Sequence, residues 1–165
     1  MTLFAAPLLQ SAEQLLQQLR AQKLTLATAE SCTGGLVSAL LTEISGSSDV
    51  FTHGYITYAN AAKIGMLGVE KSLIETHGAV SEPVARAMAE GAVRAAKADI
   101  AIAITGIAGP SGGTADKPVG RVHIACARGG FTTLHTAHHF SGDRTSVRLQ
   151  AVSAGLELVG RHIDS

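Results

Sequence analysis

Four short stretches carry side chains that could do chemistry. The first, Ala29-Glu30-Ser31-Cys32-Thr33-Gly34-Gly35, sets a hydroxyl and a thiol side by side ahead of a glycine pair. Either group attacks an electrophile once a base removes its proton. The second, Tyr58-Ala59-Asn60-Ala61-Ala62-Lys63, supplies a phenol and an amine. A desolvated lysine sheds its charge more readily, and its neutral amine then accepts a hydroxyl proton. Serine–lysine pairs are a known nucleophile–base arrangement; the bland use of a lone lysine is a solvated helix face. The third stretch, Thr105 to Lys117, is a loop with Gly106, Gly109, Gly112 and Gly113, whose N–H groups could cradle a phosphate. It runs into Lys117-Pro118 and a strand instead of a Gly-Lys-Ser/Thr helix start, so ATP hydrolysis is not expected. The fourth, Gly142-Asp143-Arg144, offers a planar guanidinium suited to phosphate, with Asp143 placed to cap a helix.

These residues need a scaffold, and hydrophobic spacing indicates one. Residues 8–21 carry a helical stripe of Leu8, Leu9, Ala12, Leu15, Leu16 and Leu19. A strand over 24–28 leads into the Ser31 turn, and a helix over 33–44 follows. That junction exposes the nucleophiles beside the free N–H groups of a helix start, which can hold an oxyanion or a phosphate. The same residues have a purely structural use, Thr33 as a cap and Gly34-Gly35 as close packing. A strand over 54–58 precedes short helices at 59–66 and 71–77. Ser81-Glu82-Pro83 starts a longer helix. Residues 100–105 form an apolar, central strand, from whose end the glycine loop opens. Residues 121–127 and 131–140 form an antiparallel hairpin turning at Gly129-Gly130, and a last helix starts near Arg144. The expectation is one α/β domain over residues 1–165: a three-layer α/β/α sandwich on a mixed, mostly parallel sheet of about five strands.

Composition narrows the function classes. Thirteen basic residues balance thirteen acidic ones, which argues against a nucleic-acid binder. No Trp, two Tyr and four Phe leave little for base stacking. Cys32 and Cys126 lie far apart, as in a reduced intracellular protein. Residues 1–10 lack the features of a signal peptide, and no run approaches the ~18 apolar residues of a membrane span. A cytoplasmic protein without membrane contact is expected. Cys32 rivals Ser31 as nucleophile, with Glu30 and Lys63 completing that set, or is a small buried hydrophobe; Cys126 reads as core. On an extended strand His135 and His139 share a face and His138 points away. No spacing matches a zinc site, so no metal is expected.

Taken together, these motifs, with Gly46-Ser47-Ser48, Leu67-Gly68-Val69, Gly78-Ala79-Val80-Ser81, Thr105-Gly106-Ile107-Ala108-Gly109-Pro110 and Lys117-Pro118-Val119-Gly120, form a recognisable set. From about residue 8 to 160 the chain resembles the C-terminal domain of CinA (competence/damage-inducible protein), the nicotinamide-nucleotide amidase family also called PncC. The resemblance implies hydrolysis of nicotinamide mononucleotide to nicotinate mononucleotide and ammonia, in pyridine-nucleotide salvage, without metal or cofactor. Carried across by motif, Ser31 is the nucleophile, Lys63 the base and Tyr58 an assisting hydroxyl or a substrate contact. Glu30, Thr33, Gly34, Gly35, Thr105, Gly106, Gly109, Gly112 and Arg144 are expected around the nucleotide, Arg144 towards its phosphate. The pyrophosphatase-type activity of the family's longer members is not expected. A homodimer is expected, with small-residue helices such as 84–96 able to pack closely. Two alternatives stay open: a cysteine amidase using Cys32, and a non-catalytic nucleotide-binding or sensing module.

Overall fold

The computed structural model describes residues 2–165. Its elements run α1 (Ala6–Ala21), β1 (Leu26–Glu30), α2 (Leu36–Glu43), a 3-10 turn (Ser47–Asp49), β2 (Phe51–Ile56), α3 (Asn60–Leu67), α4 (Lys71–His77), α5 (Glu82–Ala96), β3 (Ile100–Gly106), β4 (Arg121–Arg128), β5 (Leu134–His139) and α6 (Arg144–Ile163). The five strands form one sheet in the order β2-β1-β3-β4-β5. β1 pairs in parallel with β2 and β3, while β4 lies antiparallel to β3 and β5. β4 therefore runs against the other four, and the mixed α/β architecture expected from the sequence is present.

Alternation along the strands builds two different faces. Leu26, Ile100, Ile102, Ile104, Val122, Ile124 and Cys126 point into the core shared with α1, α2 and α6. Each buried isoleucine there contributes about 1.5–3 kcal/mol. The opposite face is nearly all alanine: Ala27, Ala29, Ala101, Ala103, Ala125 and Ala127. Short side chains let α5 lie close to the sheet, with Val84, Met88 and Ala92 buried between. The small residues of 84–96, expected at a dimer contact, thus pack against the chain's own sheet. At Gly91 a Cβ would lie 2.1 Å from the Leu67 carbonyl oxygen, so glycine lets α3 seat directly on α5.

Four boundaries differ from expectation. β5 covers Leu134–His139 instead of 131–140, because Thr133 is tied to α5, its hydroxyl donating to Glu90 and its carbonyl accepting from Arg86. β1 lies two residues later than 24–28, because Thr25 is held to the Asp99 carboxylate by both its N–H and its hydroxyl. β2 begins at Phe51, directly after the 3-10 turn, and ends before Tyr58. α2 starts at Leu36, because residues 31–35 form a tight turn with Gly34 and Gly35 at positive φ. Glu30 pairs with Ile56 on one side and Ile104 on the other, so β2, β1 and β3 all finish at one edge of the sheet. Ligands of open α/β sheets bind at such carboxyl ends.

Candidate active site

Ser31 leaves the end of β1 with its N–H bonded to the Ile104 carbonyl at 2.9 Å, which fixes it against β3. Lys63 projects from α3 beneath it. The Lys63 ammonium lies 3.1 Å from Ser31 Oγ and donates to the carbonyls of Thr57 at 2.7 Å and Tyr58 at 3.3 Å. Lys63 is only 1% exposed. Burial pulls its pKa below the usual lysine value. Three acceptors match the three N–H bonds of an ammonium. In the neutral amine two N–H bonds still satisfy the two carbonyls, and the lone pair is left facing the serine hydroxyl.

Above this pair a cavity of about 310 Å³ is lined by Ser31, Cys32, Tyr58, Gly106, Ile107, Ala108, Ser111, Gly112 and Arg144. Arg144, the first residue of α6, donates to the Gly109 carbonyl at 2.8 Å and to the Tyr58 hydroxyl at 3.2 Å. It bridges the rim between the glycine loop and the α3 side. Within that loop the N–H groups of Ala108, Gly109, Ser111, Gly112 and Gly113 take no backbone acceptor among the described residues. Unpaired N–H groups beside a guanidinium favour an anion.

Of the residues expected here, Ser31, Tyr58, Gly106, Gly112 and Arg144 line the cavity, with Lys63 behind Ser31 and Gly109 held by Arg144. Five others do not line it. The Glu30 carboxylate is fully buried and accepts from the N–H groups of Gly35, Val37 and Ser38 and from the Ser38 hydroxyl. It caps α2 from within the preceding strand. The Gly35 N–H is thereby engaged, and that of Gly34 is bonded to the Ser31 carbonyl at 3.0 Å. Of the donors expected at 33–35, only Thr33 N–H has no acceptor among the described residues. The Thr33 hydroxyl is buried, and that of Thr105 donates to the Ala79 carbonyl at 2.9 Å. Thr105 ties the end of β3 to the α4–α5 connection.

Cys32 borders the cavity, yet burial pushes its thiol up to about 11 despite the nearby Arg148 and Arg144 charges. A thiol so protonated is a poor nucleophile at neutral pH. Cys126 is core, as expected. Ser111 and Arg148 were not anticipated. Ser111 sits in the middle of the glycine loop already singled out. Arg148 stands one helical turn beyond Arg144, and that i,i+4 spacing was the available signal.

The family model for the CinA C-terminal domain matches residues 8–163. The chain belongs to the CinA C-terminal domain family. The nicotinamide-nucleotide amidohydrolase PncC of Escherichia coli K12 is 49% identical over 150 residues, covering 91% of each chain. A CinA-like protein of Syntrophobacter fumaroxidans is 52% identical over 145 residues, and the match takes 88% of this chain but only 34% of that relative. Members of the family thus come in two lengths, and this chain matches one of the short ones nearly end to end. The crystal structure of the competence/damage inducible protein CihA from Agrobacterium tumefaciens superposes with a TM-score of 0.96 at 42% identity, covering all of both chains. A CinA superfamily protein from E. coli gives 0.90 at 36% identity, over 98% of this chain and 94% of that one.

Proposed function

We propose that this chain is a nicotinamide-nucleotide amidohydrolase that works through Ser31 and Lys63. The observation that carries the reading is the buried Lys63 Nζ at 3.1 Å from Ser31 Oγ, at the floor of a cavity rimmed by a guanidinium. The name of the E. coli PncC relative supplies the substrate class. Neutral Lys63 takes the Ser31 proton as Oγ attacks the carboxamide carbon. The oxyanion is met by the N–H groups of Cys32 and Thr33, a contribution of about 3–4 kcal/mol per donor. Lys63 returns the proton to the leaving nitrogen, and ammonia departs. Water, deprotonated by the same amine, then cleaves the acyl ester and frees nicotinate mononucleotide. The electron-poor pyridinium favours attack at the amide. Arg144, Ser111 and the open loop N–H groups hold the phosphate, with Tyr58 closing the rim. In this reading the enzyme is a cytoplasmic homodimer acting in pyridine-nucleotide salvage. None of the described helices is long and apolar enough to cross a membrane.

The test is incubation with nicotinamide mononucleotide while ammonia and nicotinate mononucleotide are followed together. Equal yields are expected from the wild type. Ser31→Ala and Lys63→Ala should each lose about 10³-fold or more in kcat while melting like the wild type. A folded wild type that binds the nucleotide without releasing ammonia would favour the sensing module instead.

A further inference from the structure

Arg148 of α6 is absent from the cavity lining, yet it makes two contacts with the turn that carries the nucleophile. Its Nε donates to the Cys32 carbonyl at 3.1 Å and its Nη2 to the Thr33 carbonyl at 2.9 Å. The approach is close: a Cβ on Gly34, which has φ +58°, would sit 3.3 Å from that same Nη2. Both contacts fall on successive peptide units, Cys32–Thr33 and Thr33–Gly34, the second and third after Ser31. Among the described residues the only cis peptide is Gly109-Pro110, so these two units are trans. In a planar trans peptide the C=O and N–H point in opposite directions.

That geometry assigns each N–H a side. In the Thr33–Gly34 unit the carbonyl is held by Arg148 and the N–H donates to the Ser31 carbonyl. In the Cys32–Thr33 unit the carbonyl is held by Arg148 and the N–H has no acceptor among the described residues. A cation bonded to a peptide oxygen also polarises that peptide and strengthens its N–H as a donor. We infer that Arg148 is a positioning residue, which turns the Cys32–Thr33 peptide so that its N–H meets the oxyanion formed on Ser31 attack. The inference rests on the amidohydrolase reading for its reaction, and on the two carbonyl contacts for its geometry. α6 then serves the site twice: Arg144 at its first residue grips the rim, and Arg148 one turn on sets the turn behind the nucleophile.

Two readouts test this. Turnover of nicotinamide mononucleotide gives kcat and KM; labelling of Ser31 by a fluorophosphonate, followed by intact mass, reports the nucleophile and its oxyanion donors whatever the natural amide is. Arg148→Ala should lose about 10²-fold in kcat and in labelling rate, with KM nearly unchanged, as for a misplaced transition-state donor. Added guanidinium ion should restore part of both rates. Arg148→Lys keeps the charge but has no fork to span two carbonyls, so it should recover only a minor part. It also serves if Arg148→Ala fails to fold. Rates within about threefold of the wild type in a folded Arg148→Lys, or a loss confined to KM, would overturn the inference. A wild type that is labelled at Ser31 but releases no ammonia would overturn the substrate instead, and the labelling rates would still decide Arg148.

Discussion

Lys63 carries opposing demands, since burial disfavours its charge while the Thr57 and Tyr58 carbonyls favour an N–H donor. Desolvation dominates, and the amine sheds its proton below the ordinary lysine value of about 10.4. A base works only when unprotonated, so kcat/KM for ammonia release should rise with pH along a limb whose midpoint lies below that value. Lys63→Arg, which stays charged, should lack the limb together with the activity. A limb of the same midpoint in that variant would remove Lys63 from the base role. The neighbouring thiol gives the complementary prediction. With Cys32 held up to about 11, Cys32→Ser should keep kcat within about tenfold, under about 1.4 kcal/mol in barrier. Steady-state kinetics and thiol alkylation of the wild type check this, and loss of activity in both would revive the cysteine mechanism.

At the scale of elements, the turn after β1 shows what a sequence reveals and what it conceals. Hydrophobic spacing, with cap and turn signals, found the six α-helices and five strands of the described residues, because oily stripes have to face a core whatever the partner. The Ser31 motif, Tyr58, Lys63, the glycine loop and Arg144 were legible from residue type and position at strand or helix ends. The contact between Ser31 and Lys63 was not, because it depends on α3 seating against α5 through Gly91, a relation between distant segments. Glu30 misled for a related reason. An acid beside a nucleophile reads as a ligand contact, yet its carboxylate turns inward and caps α2. Glu30→Ala should therefore act first on stability. Losing one buried cap that serves three N–H groups should cost at least about 2 kcal/mol in urea unfolding. Unchanged stability with a raised KM would return Glu30 to the substrate.

Across the whole molecule, equal numbers of positive and negative residues leave acid stability near neutrality to local groups. One such group joins the sheet to the helix layer. His123 Nδ1 on β4 lies 3.0 Å from His135 Nε2 on β5, and His135 Nδ1 lies 3.5 Å from the Glu82 carboxylate at the start of α5. Burial, then the charges of His135, Arg121 and Lys117, lowers His123 from 6.5 to about 4, with Glu82 opposing. Burial lowers His135 as well, with Glu82 again opposing. Between pH 6.5 and about 4 the unfolded chain binds a proton at His123 that the folded chain refuses. Stability therefore falls as pH drops through that window, and above 6.5 this contribution is flat. Thermal melts across the window should show a steeper decline for the wild type than for His123→Gln, which has nothing to titrate. His135, His138 and His162, also lowered by burial, supply the slope that both proteins share. Identical slopes would mean the paired rings accept their proton without strain. His123 also pairs in register with Thr105, directly before the glycine loop, so ammonia release should fail along the same acid limb as the melts.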